Sequence, residues 1–188
     1  MKTTMKSAMK AAALLLMATV MTTMTSCSND DDNGTVTDTT VAGTTLTITP
    51  SLPDDCVNTY DNSLIYTDGA GVQHTEKLEN GKTITIKSTT AESKGTLVIH
   101  QTIKSGVKLE AGTYMYGAKL SFVLTGVNAK GQTVCKSNSQ EGNFLYSTTS
   151  TKLAETIAKD PMKAQYTIYK TGETQAPLAL RVEDVVQQ

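Results

Sequence analysis

The sequence predicts an all-β fold, an antiparallel β-sandwich with one short helix, from three observations. From Thr44 onward, apolar and polar residues alternate in short segments, as they do in half-buried strands. Turn-forming residues separate these segments at intervals of about 8–12 residues, which is typical of sandwiches and barrels. The chain is rich in Thr and has 38% hydrophobic residues, and that composition favours strands over helices.

The first predicted strand ends at Thr49, where Leu46 and Ile48 share one face and the intervening threonines share the other. Pro50 and Pro53 then interrupt the pattern. Asn80-Gly81 matches the residues that a type I′ hairpin turn requires. The further predicted strands are 63–67, 72–78, 83–87, 97–103, 113–125, 132–136, 144–146, 164–170 and 178–182.

The longest predicted strand and the helix both show which side should be buried. In the strand, every second residue is apolar and should face the core: Tyr114, Tyr116, Ala118, Leu120, Phe122 and Leu124. The helix spans residues 151–159, with Leu153 and Ile157 one turn apart. Asp160-Pro161 should end it, because the residue before proline avoids the α-helical conformation.

The N-terminus has the pattern of a secretory signal peptide. Its first ten residues contain three lysines and no acid, and an apolar run from Ala11 to Val20 follows. Small and polar residues then lead to Cys27. The apolar run is shorter than the roughly 20 residues that a membrane-spanning helix needs. We therefore expect residues 1–26 to be removed on export.

Met24-Thr25-Ser26-Cys27 resembles the lipobox of bacterial lipoproteins, although Met24 stands where Leu is usual. The resemblance implies that Cys27 is lipidated and becomes the first residue of the mature protein. Burial of the acyl chains in the membrane would contribute about 0.8 kcal/mol per methylene. The alternative is ordinary cleavage near the same place, which leaves Cys27 as a plain thiol.

The residues after Cys27 include Asp30-Asp31-Asp32. This acidic run resembles the surface-export signal of Bacteroides-type lipoproteins and implies an outer-membrane protein that faces the cell exterior. The alternative is a solvated acidic spacer, so the periplasmic face stays open. Residues 27–43 are expected to form a flexible tether and residues 44–188 the β-sandwich domain.

Leu109-Glu110-Ala111-Gly112-Thr113-Tyr114 resembles the tyrosine corner of Greek-key sandwiches. There, the phenol hydroxyl bonds to the backbone a few residues upstream. Leu109, Gly112 and Tyr114 are the residues that carry this resemblance. Similar segments open a strand in Ig-like and prealbumin-like domains of surface proteins. The resemblance implies an Ig-like or prealbumin-like β-sandwich and says nothing of a ligand.

Cys56 and Cys135 are the only cysteines besides Cys27. Export places them in an oxidising compartment, so we expect a disulfide between them. The bridge would close a loop of about 80 residues and stabilise the fold by about 4 kcal/mol. Two buried thiols are the alternative. His74 and His100 are far from both cysteines in sequence, so no metal site is expected.

Charge and motifs limit the function. Residues 1–26 hold three of the 17 Lys and Arg and none of the 18 Asp and Glu, so the mature chain has a net charge of −4. This balance argues against nucleic acid as a partner. The two histidines lie in no catalytic motif, and none of the nucleophile, zinc-protease or phosphate-loop motifs occurs. We therefore expect a non-enzymatic module without a cofactor.

The expected partners are the membrane, through the lipid, and an unknown protein or glycan. No Trp platform supports sugar binding, and the seven tyrosines mostly fall at core-facing positions. An outward ring of Tyr60 or Tyr169 could stack on a ligand, but single exposed aromatic residues are common. A fimbrial anchor or tip component and a small extracellular enzyme are the alternatives. Many prealbumin-like fimbrial subunits are cleaved after an arginine near the N-terminus, whereas this chain has a single arginine, Arg181.

Overall fold

A computed structural model describes residues 25–28, 39–159, 161–173 and 176–185, with the backbone alone at 25–28. Met24, the acidic run at 30–32 and Asp160 lie outside the described residues. The strands in chain order are β1 (Thr25–Ser28), β2 (Gly43–Ser51), β3 (Tyr60–Thr67), β4 (Gln73–Lys77), β5 (Ile84–Ser88), β6 (Ser93–Ile103), β7 (Thr113–Val127), β8 (Thr133–Ser137), β9 (Gln140–Thr149), β10 (Met162–Lys170) and β11 (Leu178–Asp184). The helices are α1 (Asp54–Thr59) and α2 (Ser150–Lys159).

The strands form two antiparallel sheets packed as a β-sandwich, which confirms the predicted all-β class. One sheet has the order β4-β3-β6-β10-β11 and the other contains β5-β2-β7. β9 pairs with the first part of β7, and β8 pairs with its last residues on from Thr125. β1 pairs with β11 of one sheet and with β8 of the other, so it joins the two.

The core lies between the sheets and follows the predicted alternation. In β2, Leu46 and Ile48 are fully buried. The alternate residues of β7 from Ala118 to Leu124 are at most 1% exposed, whereas Tyr114 and Tyr116 near its start are half-buried. The inward faces of both sheets are therefore apolar where the strands overlap, and this burial is the main term that stabilises such a fold.

The two helices differ in how well the sequence predicts them. α2 matches the predicted helix and buries Leu153 and Ile157, starting one residue earlier at Ser150. α1 was not predicted, because six residues are too few to show a helical period. Pro53 immediately precedes it, at a position where a missing backbone N–H does no harm. α1 carries the chain from one sheet to the other, between β2 and β3.

Candidate functional site

A cleft of about 310 Å³ lies at the end of the sandwich where β2 gives way to α1. Its floor consists of buried residues from this crossover and from β3 and the end of β4: Leu52, Tyr60, Asn62 and Leu78. Its rim is charged and consists of Asp61, Lys77, Glu79 and Lys104. An apolar floor with convergent polar groups is the usual character of a ligand site.

Asn80 holds one wall of the cleft in place. Its side-chain oxygen accepts a hydrogen bond from Leu52 N at 2.5 Å, and its side-chain nitrogen donates to Leu52 O at 3.0 Å. Asn80 thus satisfies both backbone groups of a buried residue that follows the end of β2.

The predicted type I′ hairpin at Asn80-Gly81 is wrong. Gly81 has a φ of +76° but Asn80 does not have a positive φ, and a type I′ turn needs both. The flanking strands are not partners either, because β4 pairs with β3 and β5 pairs with β2. The turn therefore connects the two sheets, and it brings Asn80 to the cleft.

The charges of the rim are partly neutralised by one another. Lys77 Nζ lies 2.7 Å from Glu79 Oε1, and this contact lowers the pKa of Glu79 and raises that of Lys77. Lys104 Nζ donates to Val57 O at 2.6 Å, near the C-terminus of α1. Two basic and two acidic side chains line the rim, so the cleft has no strong excess of either sign.

A buried network of amides lies behind the floor. Asn62 Nδ2 donates to Cys56 O at 3.1 Å and to Tyr60 O at 2.9 Å. Gln101 Nε2 donates to Asn62 Oδ1 at 2.5 Å, and Gln101 Oε1 accepts from Gly117 N at 2.6 Å. Gly117 belongs to the opposite sheet. The network therefore ties the floor of the cleft to both sheets, and fully satisfied buried networks of this kind rigidify a core.

Cys56 belongs to the same region and is not a nucleophile. Its thiol is fully buried and donates to Met115 O at 3.5 Å. Burial is the main cause that raises the pKa of the thiol to about 11, from a reference value of 9.0. The reactive form of a cysteine is the thiolate. At neutral pH Cys56 is therefore an inert core residue.

The predicted disulfide between Cys56 and Cys135 is wrong, because the two are not bonded to each other. Cys56 contacts Met115 near the start of β7. Cys135 lies against Gly126 near the end of β7, where a Cβ added to the glycine would be 2.6 Å from Cys135 Sγ. Eleven residues of extended strand span about 36 Å, whereas a disulfide needs Cα atoms within about 7 Å.

Tyr114 makes the backbone contact that the corner motif predicts. Its hydroxyl donates to Glu110 O at 3.2 Å and accepts from Glu110 N at 2.9 Å. Leu109 packs partly buried against the core. Gly112 has open space around it, and its carbonyl accepts a hydrogen bond from Ser150 N at the start of α2. The motif thus joins the entry of β7 to the helix.

Other residues that the sequence singled out lie apart from the cleft or are not available. Tyr60 is 1% exposed, so its expected role as an outward ring is wrong. Tyr169 is half-buried, with the Arg181 guanidinium 5.8 Å from its ring centre. His74 Nε2 lies 2.9 Å from Asp68 Oδ2. Cys27 lies in β1, opposite Ser137 of β8. Its lipidation stays a prediction.

Sequence reasoning missed Asn62, Gln101 and Asn80. One signal was available for Gln101, which occupies a core-facing position in the alternation Leu97, Ile99, Gln101 of β6. A polar residue at such a position needs buried partners. Within the described ranges, no group of three His, Cys, Asp or Glu has the geometry of a metal site.

No helix in the described part of the chain has the length and apolar character to span a membrane. No family model, curated protein or solved structure matches the chain.

Proposed function

We propose that this chain is the precursor of a lipoprotein of the bacterial outer membrane, lipidated at Cys27 and facing the cell exterior. Its β-sandwich domain is a non-enzymatic module that binds a protein or a glycan. The export pattern of residues 1–26, Cys27 and the acidic run at 30–32 support the anchoring and the location. The cleft between α1, β3 and β4 supports the binding role.

The observation that carries this proposal is the position of the cleft relative to the tether. The tether enters the domain at Gly43, the first residue of β2. Leu52, which lines the cleft, follows the last residue of β2. Nine residues of extended strand cover about 30 Å. The cleft therefore lies at the end of β2 opposite Gly43, where the expected tether joins the strand, and this separation leaves the cleft accessible to molecules outside the cell.

The chemistry of the cleft fits a polar ligand of low net charge. Its rim offers charges of both signs, and its buried floor offers apolar contact around Leu52 and Leu78. Val57 lies at the side of the cleft and is 37% exposed, so it is available to a ligand. The amide network behind the floor keeps the surface preorganised, which lowers the entropic cost of binding.

The binding test uses the purified lipoprotein on arrays of peptides and glycans. Val57→Asp puts a charge in the cleft, and Val72→Asp does the same at an exposed site on the β3–β4 turn, where Val72 is 54% exposed. We expect Val57→Asp to weaken binding at least tenfold and Val72→Asp to leave it unchanged. Equal effects of the two variants, with unchanged folding, would place binding elsewhere.

The anchoring test compares the wild-type protein with Cys27→Ala in a bacterial host that processes lipoproteins. The wild type should partition with the outer membrane and be degraded by protease added to intact cells. The variant should appear in the soluble fraction. Membrane attachment of the Cys27→Ala protein would reject lipidation at this residue.

A fimbrial anchor or tip component is the second candidate, in a form without arginine processing. Arg181 lies inside β11, where it is paired with Thr167 of β10. A cut after Arg181 would divide a strand of the core rather than release an N-terminal segment. We therefore expect the protein to keep β2 and to remain attached through its own N-terminus.

A further inference from the structure

The charged side chains on the rim of the cleft differ in whether they already have partners. Lys77 Nζ lies 2.7 Å from Glu79 Oε1. Lys104 Nζ donates to Val57 O at 2.6 Å. Asp61 is exposed and adds to the raised pKa of Lys77, after the larger effect of Glu79, but its carboxylate has no ion pair and no hydrogen bond within the described ranges. Asp61 is therefore the rim charge that is open to a cationic group of a ligand.

The polar groups of the floor are already bonded within the protein. Asn62 Nδ2 donates to two backbone carbonyls, and Asn62 Oδ1 accepts from the amide network. The Tyr60 hydroxyl donates to Met115 O at 3.0 Å. The side chain of Asn80 bonds to both backbone groups of Leu52. A sugar ring would find few unpaired groups here, and hydroxyl groups that are buried without partners weaken binding.

The walls and the floor of the cleft offer apolar contact instead. Val57 is an exposed apolar residue of α1 that lines the cleft. Lys77 and Lys104 also line it, and because their ammonium groups have partners, their methylene stems are available to pack against a ligand. The floor adds Leu52 and Leu78. The volume of about 310 Å³ is at the lower end of the range for ligand pockets, so the cleft suits one bulky side chain.

We propose that the occupant of the cleft is a segment of a partner protein that carries a bulky apolar residue, such as Leu, Met or Phe, close to a Lys or Arg. This inference rests on the proposed binding function and chooses between its two classes of ligand. The apolar side chain packs beside Val57, and the basic side chain pairs with Asp61. Because the cleft is small, the two residues are within about two positions of each other. The apolar anchor supplies most of the affinity, and the exposed ion pair mainly selects the partner.

The first experiment uses a library of random heptapeptides displayed on phage as the probe. The library is selected on the purified lipoprotein and, in parallel, on its Val57→Asp variant. On the wild type, we expect the combination of an apolar anchor and a nearby Lys or Arg to be enriched about tenfold or more, because the anchor fills the cleft. On Val57→Asp it should not be enriched. Enrichment of acidic peptides, equal enrichment on both proteins, or no enrichment on the wild type would overturn the inference.

The second experiment measures the Kd of the most enriched peptide, made synthetically. Asp61→Asn should raise the Kd about threefold, as expected for an exposed ion pair. The control is Glu76→Gln, which removes the same charge from β4 at a residue that does not line the cleft. It should leave the Kd unchanged. Equal effects of the two variants would reject the pairing with Asp61.

A charge reversal tests the same pair from both sides. Asp61→Lys should weaken binding about tenfold, because like charges then face each other. A peptide with Glu in place of its basic residue should bind this variant better than the original peptide does. Failure of the exchanged peptide to recover binding would also reject the pairing with Asp61.

A glycan array with the same proteins separates this inference from the proposed function. Glycans that bind the wild type and not Val57→Asp, with no peptide enriched, would show that the cleft is a ligand site with a different occupant. That result overturns the inference and leaves the proposed function in place. Absence of both peptide and glycan binding would reject both. Peptide binding that depends on Val57 and Asp61 supports both.

Discussion

Gln101 and Gly117 connect the two sheets through a hydrogen bond of 2.6 Å from the Gly117 amide to the side-chain oxygen of Gln101. Gln101 is 4% exposed and also donates to Asn62. A single amide side chain therefore satisfies groups on β3 and β7. The floor of the cleft depends on this connection, because Asn62 in turn holds the backbone of α1 and β3.

The first prediction is that Gln101→Leu destabilises the fold by about 2–4 kcal/mol. The substitution leaves Asn62 Oδ1 and Gly117 N buried without partners, and each such group costs about 1–3 kcal/mol. Urea denaturation measures the free energy of unfolding. The control is Gln165→Leu on the exposed face of β10, which should change it by less than about 0.5 kcal/mol. Equal stability of the two variants would show that the network is dispensable.

The second prediction concerns two glycines with opposite surroundings. Gly117 has a φ of +96°, and a Cβ placed on it would lie 1.9 Å from Phe144 O. Gly117→Ala should therefore cost more than about 3 kcal/mol or prevent folding. A Cβ on Gly112 meets nothing within 4 Å. Gly112→Ala should leave the melting temperature within a few degrees of wild type, and a comparable loss in both variants would contradict this account.

The third prediction is that Tyr114→Phe lowers the free energy of unfolding by about 1 kcal/mol. The ring stays half-buried, while Glu110 loses both bonds to the hydroxyl. Chemical denaturation of the two proteins checks the value. A phenylalanine variant as stable as wild type would mean that the corner does not contribute to stability.

The fourth prediction concerns the thiols. If Cys27 is lipidated as proposed, the denatured, unreduced protein should titrate with two thiols, Cys56 and Cys135, because these two are not bonded to each other. A thiol count of zero would indicate a bridge. In the native Cys135→Ala protein at pH 8, Cys56 should react with a thiol reagent at least 100-fold more slowly than after denaturation, since the thiolate is rare and buried.

The fifth prediction follows from the sign of the same pKa shift. The folded pKa of Cys56, about 11, exceeds the reference value of 9.0. The folded state therefore holds the proton more tightly, and its contribution to stability is complete below pH 9 and is lost as the pH rises to about 11. The free energy of unfolding should fall across this range. Cys56→Ala should reduce that fall, and an unchanged pH profile in the variant would assign it to other groups.

Local pattern determined a large part of this structure. The alternation in 44–49 and 113–125 identified the buried faces of β2 and β7, and the spacing of Leu153 and Ile157 identified α2. Periodicity succeeds there because it records which side of an element is buried, and burial of apolar side chains is the main stabilising term. The hydrogen bond between Tyr114 and Glu110 could also be predicted from the sequence, because the two residues are only four positions apart.

Tertiary structure alone decided how those elements meet. Leu52 and Asn80 are 28 positions apart and are joined by hydrogen bonds at one wall of the cleft. Asn62 and Gln101 are 39 positions apart, and their hydrogen bond lies behind the floor of the cleft. Alternation gives the buried face of a strand but not its partner. The sequence Asn80-Gly81 therefore predicts a hairpin turn between paired strands, although the turn links two different sheets. For the same reason, the sequence predicts a disulfide between Cys56 and Cys135. Only the tertiary structure places Cys56 near the start of β7 and Cys135 near its end, about one strand length apart.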